Sequence, residues 1–533
     1  MSAQYTSLDW IVFGGYGLLL LVSGWLINRR GSNSSQDFFL GGNAMPTWMV
    51  AISVLATSQS AATFLGGPDQ GYRGDLSYLT TNIGALIAAL FVAVVLIPRF
   101  YQHNVFTVYQ LLEQRVGSKA KQYAGVMYLF GRVFASGARL YMAALAVAMI
   151  LFGDIAASSV ITATIIITTV GLLYTVFGGI RSVIYSDVIQ CAVYVSAALF
   201  VIYFLLAAIP ADFSQIIAAL QQPAIDQPSK LTLFNFDLDF TSAGTFGFWS
   251  AITGFTLLHI ASLGLDQDMT QRVLTCKDAK SGGKAMMFSV ILVIPVTILF
   301  LIIGLLLFIF YQRPDLMLSE SGLQIAQSFE GERVTIFMYY VLNEIPAGVR
   351  GLVTIGIIAA ALSTLNSGLS SMSSVLIQDL YRPFKTRRAI QQNKPLKDAH
   401  FVQAGKLAMV FVGVALGSMA ILCFYWQQYS DMPLLKFALG VMVFSYSGLL
   451  GVYFTILFTK RGSDQSVLAA LIVGFVVTLL FQPYVTTLYL PLQWQFDLGF
   501  TWQLCIGTAV SMLVCCSGSL NSDQQRNSEV IIS

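Results

Sequence analysis

Charge is what this chain has least of. Only 10% of its 533 residues are Asp, Glu, Lys or Arg, and 56% are hydrophobic. A mean hydropathy of +0.73 excludes an ordinary water-soluble domain of this length. Histidine is nearly absent, with three residues, and the six cysteines (Cys191, Cys276, Cys423, Cys505, Cys515, Cys516) show no paired spacing. That leaves no disulfide framework and no zinc-type ligand cluster to be read. There is no glycine-rich nucleotide loop and no nucleophile–base–acid set, so an enzyme is not expected. A secretory signal is not indicated either, because the first apolar run, Trp10–Ile27, follows Asp9 and precedes Arg29 and Arg30, the reverse of a signal peptide's flanks.

Long apolar runs fill the space left by charge. The pattern predicts thirteen helical spans, at 9–28, 47–67, 77–98, 124–152, 156–177, 185–208, 246–265, 285–311, 347–376, 405–425, 433–459, 465–482 and 499–517. Of the 29 lysines and arginines, 21 then fall in loops on one side and five (Arg73, Lys230, Arg313, Arg333, Arg350) on the other, with Arg132, Arg139 and Lys436 inside spans. This asymmetry places the N-terminus outside and the C-terminus in the cytoplasm of a multi-pass membrane protein, expected in a bacterial inner membrane. The predicted division is an N-terminal extra helix and loop (1–46), a five-helix unit (47–208), an extracellular loop (209–245), a second five-helix unit (246–459), two C-terminal helices (460–517) and a polar tail (518–533). A surface helix is expected around Val334–Val341 and a basic connector over 377–404. A small solute and the lipid bilayer are the partners implied; nucleic acid and an obligatory protein partner are not.

Two features carry chemistry. On a helix, Ala360, Ser363, Thr364, Ser367, Ser371 and Ser374 form one stripe of small and hydroxyl side chains. Such a stripe either lets helices approach closely or offers neutral oxygens to a hard cation. Second, two spans five apart are interrupted. One puts Thr57, Ser58, Gln59, Ser60 and Thr63 at the bilayer midplane and ends in Gly66-Gly67-Pro68; the other, Gly254–Gly264, centres on His259. Interrupted helices at matching places in two halves of opposite topology point to a transporter with an inverted repeat, the unwound backbone lining its cavity.

Four stretches then carry a resemblance. Tyr174–Gln190 (YTVFGGIRSVIYSDVIQ), Gly264–Val273 (GLDQDMTQRV), Ala359–Ser374 and Ala56–Tyr72 are together similar to the sodium/solute symporter family, over almost the whole chain to about residue 517. The resemblance implies an all-α LeuT-type fold, a 5+5 inverted repeat with one N-terminal and two C-terminal extra helices, and Na+ as coupling ion. It places a sodium ion on the carbonyls of Ala56, Gln59 and Ala360 and the hydroxyls of Ser363 and Thr364. A second sodium, or the ion's release path, would use Asp187, Asn366 and Ser367; Asn366 stands where sialic acid transporters of the family have a serine. The solute would lie among Ser58, Ser60, Thr63, Asn82 and His259. Ala135 stands at the position of the sialic acid transporters' arginine, and Ser60–Arg73 resembles the branch carrying monocarboxylates, iodide and vitamins. A sugar or polyol, a monocarboxylate or other small anion, and an amino acid all remain open as solute. A channel or a solute sensor on the same fold are the alternatives to a symporter. Arg132 is expected to snorkel to the inner surface, Arg139 to be a paired structural charge, and Lys436 to snorkel to the outer interface.

Overall fold

The structure, a computed structural model, describes residues 5–28, 34–223, 228–318, 322, 336–393, 397–427 and 434–519. All regular elements among these residues are helices. Ten are long and apolar enough to cross a bilayer, and a bent pair, Ser35–Asn43 with Thr47–Ser58 at 110°, makes an eleventh candidate; Asp464–Leu480 and Phe500–Cys516 are shorter apolar helices. Leu21, Leu407, Phe411 and Leu513 lie exposed on outer helix faces, as contact with lipid rather than water requires. The chain is a multi-pass membrane protein.

The helices that matter for the site are α1 (Ser7–Asn28), α2 (Thr47–Ser58), α3 (Ala61–Arg73), α4 (Leu76–Gln102), α5 (Ser118–Phe152), α6 (Ala157–Ala208), α7 (Phe248–Leu265), α8 (Gln267–Val273), α9 (Ala279–Gln312), α10 (Val349–Val375), α11 (Asp398–Gln427) and α12 (Leu434–Phe458). Helix α6 joins the predicted fifth and sixth spans across Gly179, whose φ of 59° and ψ of −165° suit glycine alone. A Cβ there would also stand 2.7 Å from Phe38 O. The double glycine is therefore a hinge pinned against the segment leading into α2. Helix α3 packs on α9 where Gly71 meets Gly304, a Cβ on Gly304 reaching Gly71 Cα at 2.8 Å; small residues allow this approach without a hydrophobic driving force between helices. Helix α10 lies chiefly against α6, and also touches α5, α8 and α2.

Two expectations about interruption fare differently. The 47–67 span is broken: α2 stops at Ser58, Gln59 is extended (φ −89°, ψ 96°), and α3 restarts with Thr63 and Phe64 donating to Ser60 O at 2.9 and 3.0 Å. The 246–265 span is not unwound. It is a continuous helix widened by π-turns at Ala251–Phe255 and Ala261–Leu265, which bracket the short α-helical piece Thr256–Ile260 carrying His259. Gly254 and Gly264 sit in those turns, and the polar stretch that suggested a break registers instead as a change of helical pitch. A helix lies at Ile336–Asn343, near the surface helix expected around Val334–Val341, but six of its eight residues are buried, so it is packed into the protein rather than lying on its surface. Lys394 in the basic connector, the Lys436 side chain and the tail beyond Ser519 lie outside the described residues.

Candidate functional site

Ser58, Ser60, Thr63, Asn82 and His259, drawn from four helices and the α2–α3 break, line one cavity. Gln59, Tyr78, Thr81, Arg132, Arg139, Asp266 and Met442 line it as well. The break positions the first three: Ser58 Oγ donates to Leu55 O at 2.7 Å and Gln59 N–H to the same carbonyl at 3.0 Å. The Leu55 carbonyl at the helix end is thereby satisfied twice. Asn82 comes from α4, its Nδ2 held by Leu79 O at 3.0 Å. The His259 ring lies 6.1 Å from that of Phe255.

Of the residues assigned to the principal ion, Gln59 lines this cavity, and Ala56, Ala360, Ser363 and Thr364 are at most 3% exposed. Thr364 Oγ1 donates to Ala360 O at 3.2 Å, and Ser363 Oγ donates to Asp187 Oδ1 at 2.7 Å. A wholly neutral oxygen cage does not describe this place, since a carboxylate touches one of the two hydroxyls. That contact suits a hydroxyl ligand. An oxygen that faces a cation must send its proton elsewhere, and a carboxylate accepts it while adding negative potential nearby.

Asp187 neither faces water nor caps a helix. It is fully buried, takes a 2.5 Å hydrogen bond from Ser53 Oγ, and pairs with Arg272 Nη2 at 3.1 Å. Arg272 Nη1 reaches Asp268 Oδ1 at 3.0 Å, and Arg132 reaches Asp266 Oδ2 at 2.8 Å and also Asp268. Ser367 Oγ donates to Asp268 Oδ2 at 3.0 Å and Tyr446 OH to Asp266 Oδ2 at 2.6 Å. A continuous ionic network thus joins α2, α5, α6, α8, α10 and α12. Burial at this depth is tolerated only because every carboxylate has two or more donors.

This network corrects the reading of Arg132, which is 3% exposed and paired rather than snorkelling. Arg139 is corrected in the opposite sense. Among the described residues its Nη1 has no hydrogen-bond partner and its Nη2 donates only to Met442 Sδ, at 3.2 Å. The trio Asp187, Asn366 and Ser367 does not converge here. Ser367 serves Asp268, while Asn366, its Oδ1 unpartnered among the described residues, faces a separate cavity lined by Tyr174, Gln190 and Gly24. Sequence reasoning missed Asp266, Asp268 and Arg272 as partners. Their signal was the Asp-x-Asp-x-x-x-Arg spacing after α7, which puts Asp268 and Arg272 one turn apart, together with two arginines seven residues apart on apolar α5.

A cavity carrying several polar side chains, set at a broken transmembrane helix and bounded by the buried Arg132–Asp266 pair, suits a small solute held within the membrane. A model of the sodium:solute symporter family matches residues 38–474, and the chain belongs to that family. It is 24% identical over 88% of both chains to the sodium/sialic acid symporter SiaT of Proteus mirabilis (strain HI4320). It is 27% identical, over 70% of its own length and 56% of the relative's, to the human sodium/iodide cotransporter. Its fold is that of a sodium-coupled sialic acid symporter solved in a substrate-bound, outward-open state, with a TM-score of 0.78 and 22% identity over 96% of this chain and 98% of that one. The chain is therefore a sodium-coupled membrane symporter for a small solute, all-α and LeuT-like, and not an enzyme.

Proposed function

We propose that the protein imports a small polar organic solute by alternating access, driven by sodium bound to the carbonyls of Ala56, Gln59 and Ala360 and the hydroxyls of Ser363 and Thr364. The solute occupies the cavity of Ser58, Ser60, Thr63, Asn82 and His259. The observation that carries this reading is the convergence of those five residues on one buried cavity, at the helix break that also ends the segment bearing two of the sodium carbonyls. Discontinuity favours transport over a channel: the cavity is bounded by the Arg132–Asp266 pair, which must part before anything passes beyond it. Under the orientation set by the loop charges, N-terminus outside and C-terminus in the cytoplasm of a bacterial inner membrane, that pair lies on the cytoplasmic side and Asp187 marks the way the ion leaves. The five-helix units are 47–208 and 246–459.

Uptake into proteoliposomes tests this. Accumulation of a panel of radiolabelled sugars, carboxylates and amino acids is expected to require an inward sodium gradient and to fail with potassium. Equal uptake in sodium-free buffer under a pH gradient alone would reassign the coupling to protons.

His259 gives a narrower expectation. A neutral imidazole can donate one hydrogen bond and accept another, and Ser58 and Ser60 line the same cavity. His259→Ala is expected to raise the apparent KM for the solute about tenfold, one lost buried hydrogen bond. Sodium affinity measured without solute should stay within error of the wild type. A variant with normal KM would make His259 a packing residue.

A further inference from the structure

Arg139, at the wall of the solute cavity, makes no direct ion pair among the described residues. The residue is nine-tenths buried, lines the cavity with Ser58, Asn82 and His259, and among the described residues its one hydrogen bond goes to a thioether, which is a weak acceptor. The nearby carboxylates are already engaged: Asp266 takes Arg132 and Tyr446, and Asp268 takes Arg132, Arg272 and Ser367. A guanidinium presents five donors in a planar fork that fits two carboxylate oxygens at once. Leaving that fork unmatched inside a membrane protein is costly, and a function explains its retention better than packing does.

Charge counting adds a second argument. With all groups ionised, Asp187, Asp266 and Asp268 outweigh Arg132 and Arg272 by one negative charge, and Arg139 brings the set to zero. A sodium ion beside Ser363, next to Asp187, leaves the set one positive charge in excess. An anion on Arg139 restores the balance.

We propose that Arg139 is the carboxylate-binding residue of this cavity and that the solute is a small organic carboxylate. The inference rests on the reading of the cavity as the solute site. It also gives a physical basis for coupling. Sodium neutralises the carboxylate excess that otherwise offsets Arg139, so bound sodium strengthens the pull on the anion, and by linkage the anion strengthens sodium binding.

The test is the thermal midpoint of the purified full-length protein in sodium chloride and in choline chloride, with pyruvate, L-lactate, L-proline and N-acetylneuraminate set against lactamide, D-glucose and myo-inositol. At least one carboxylate, and none of the neutral compounds, is expected to raise the midpoint, and only in sodium. Arg139→Gln should weaken that carboxylate roughly tenfold to a hundredfold while the shift given by sodium alone persists. Arg139→Lys should recover part of the affinity. Met442→Glu, which supplies an internal counter-ion to an intact Arg139, should keep the protein folded and abolish carboxylate binding, so the proposal stays testable if Arg139→Gln does not fold. A neutral compound as the stabilising ligand, no shift with any carboxylate, or full carboxylate affinity in Met442→Glu overturns the proposal. Failure of the symport reading looks different: the wild type would gain nothing from sodium over choline, whatever the carboxylates do.

Discussion

Arg272→Gln is expected to leave little folded protein at the temperature where the wild type is stable. Arg272 is fully buried and holds Asp187 with Nη2, Asp268 with Nη1 and Ser53 Oγ with Nε at 2.9 Å. Glutamine is too short to keep all three contacts and carries no charge, so two carboxylates are left facing each other's field in a buried site. Removing one partner from such a pair costs about 3–5 kcal/mol, a large share of the stability of any protein. Thermal melting followed by size-exclusion recovery checks it. Adding Asp187→Asn to Arg272→Gln should restore a good part of the lost stability, because the uncompensated charge goes with it. If Arg272→Gln alone melts like the wild type, the ion pairs contribute nothing to holding α8 against α6.

Ser363→Ala is expected to weaken sodium activation more than Thr364→Ala does. Thr364 donates to Ala360 O within its own helix, so truncating it removes one proposed ligand, worth about 1–3 kcal/mol. Ser363 donates to Asp187. Truncating it removes a ligand and also strips a donor from a buried carboxylate, so the two losses add to roughly a hundredfold or more in the sodium concentration for half-maximal uptake. Asn366→Ala, whose side chain faces the cavity by α1, should leave the sodium Hill coefficient unchanged. Sodium titrations of uptake at matched protein levels decide the ranking. A Ser363→Ala protein with wild-type sodium dependence means that the ion sits elsewhere.

The sequence shows the helix break at Gln59–Ser60 and the hydroxyl face of α10 because both are local. A run of polar residues inside an apolar span, and a period of three to four, need no knowledge of what packs against them. The grouping of Ser58, Thr63, Asn82 and His259 around one cavity came from the family resemblance, and the structure places them together. What escaped was pairing. Arg132 and Asp266 are 134 residues apart and Asp187 and Ser363 are 176 apart, so no window along the chain contains both partners. An arginine in an apolar helix looks the same whether it pairs directly with a carboxylate, as Arg132 does, or makes no direct ion pair among the described residues, as for Arg139. Helix pitch escaped for a similar reason: glycines and hydroxyls in α7 signal a perturbation, and packing against α4 and α12 decides whether it becomes a break or a π-turn.

The distance between Arg132 and its carboxylates also bears on how the chain is made. At about 5–20 residues per second, Arg132 of α5 emerges from the ribosome roughly seven to twenty-seven seconds before the Asp266–Asp268 segment exists. Throughout that time a helix with two arginines near its middle must wait at the translocon, each adding about 2.5–3.5 kcal/mol to the cost of entering lipid alone. Membrane integration of α5 is therefore expected to be incomplete in chains truncated before residue 266 and to become efficient once α8 has been synthesised, which makes the ionic network a checkpoint of biogenesis before it has any part in transport.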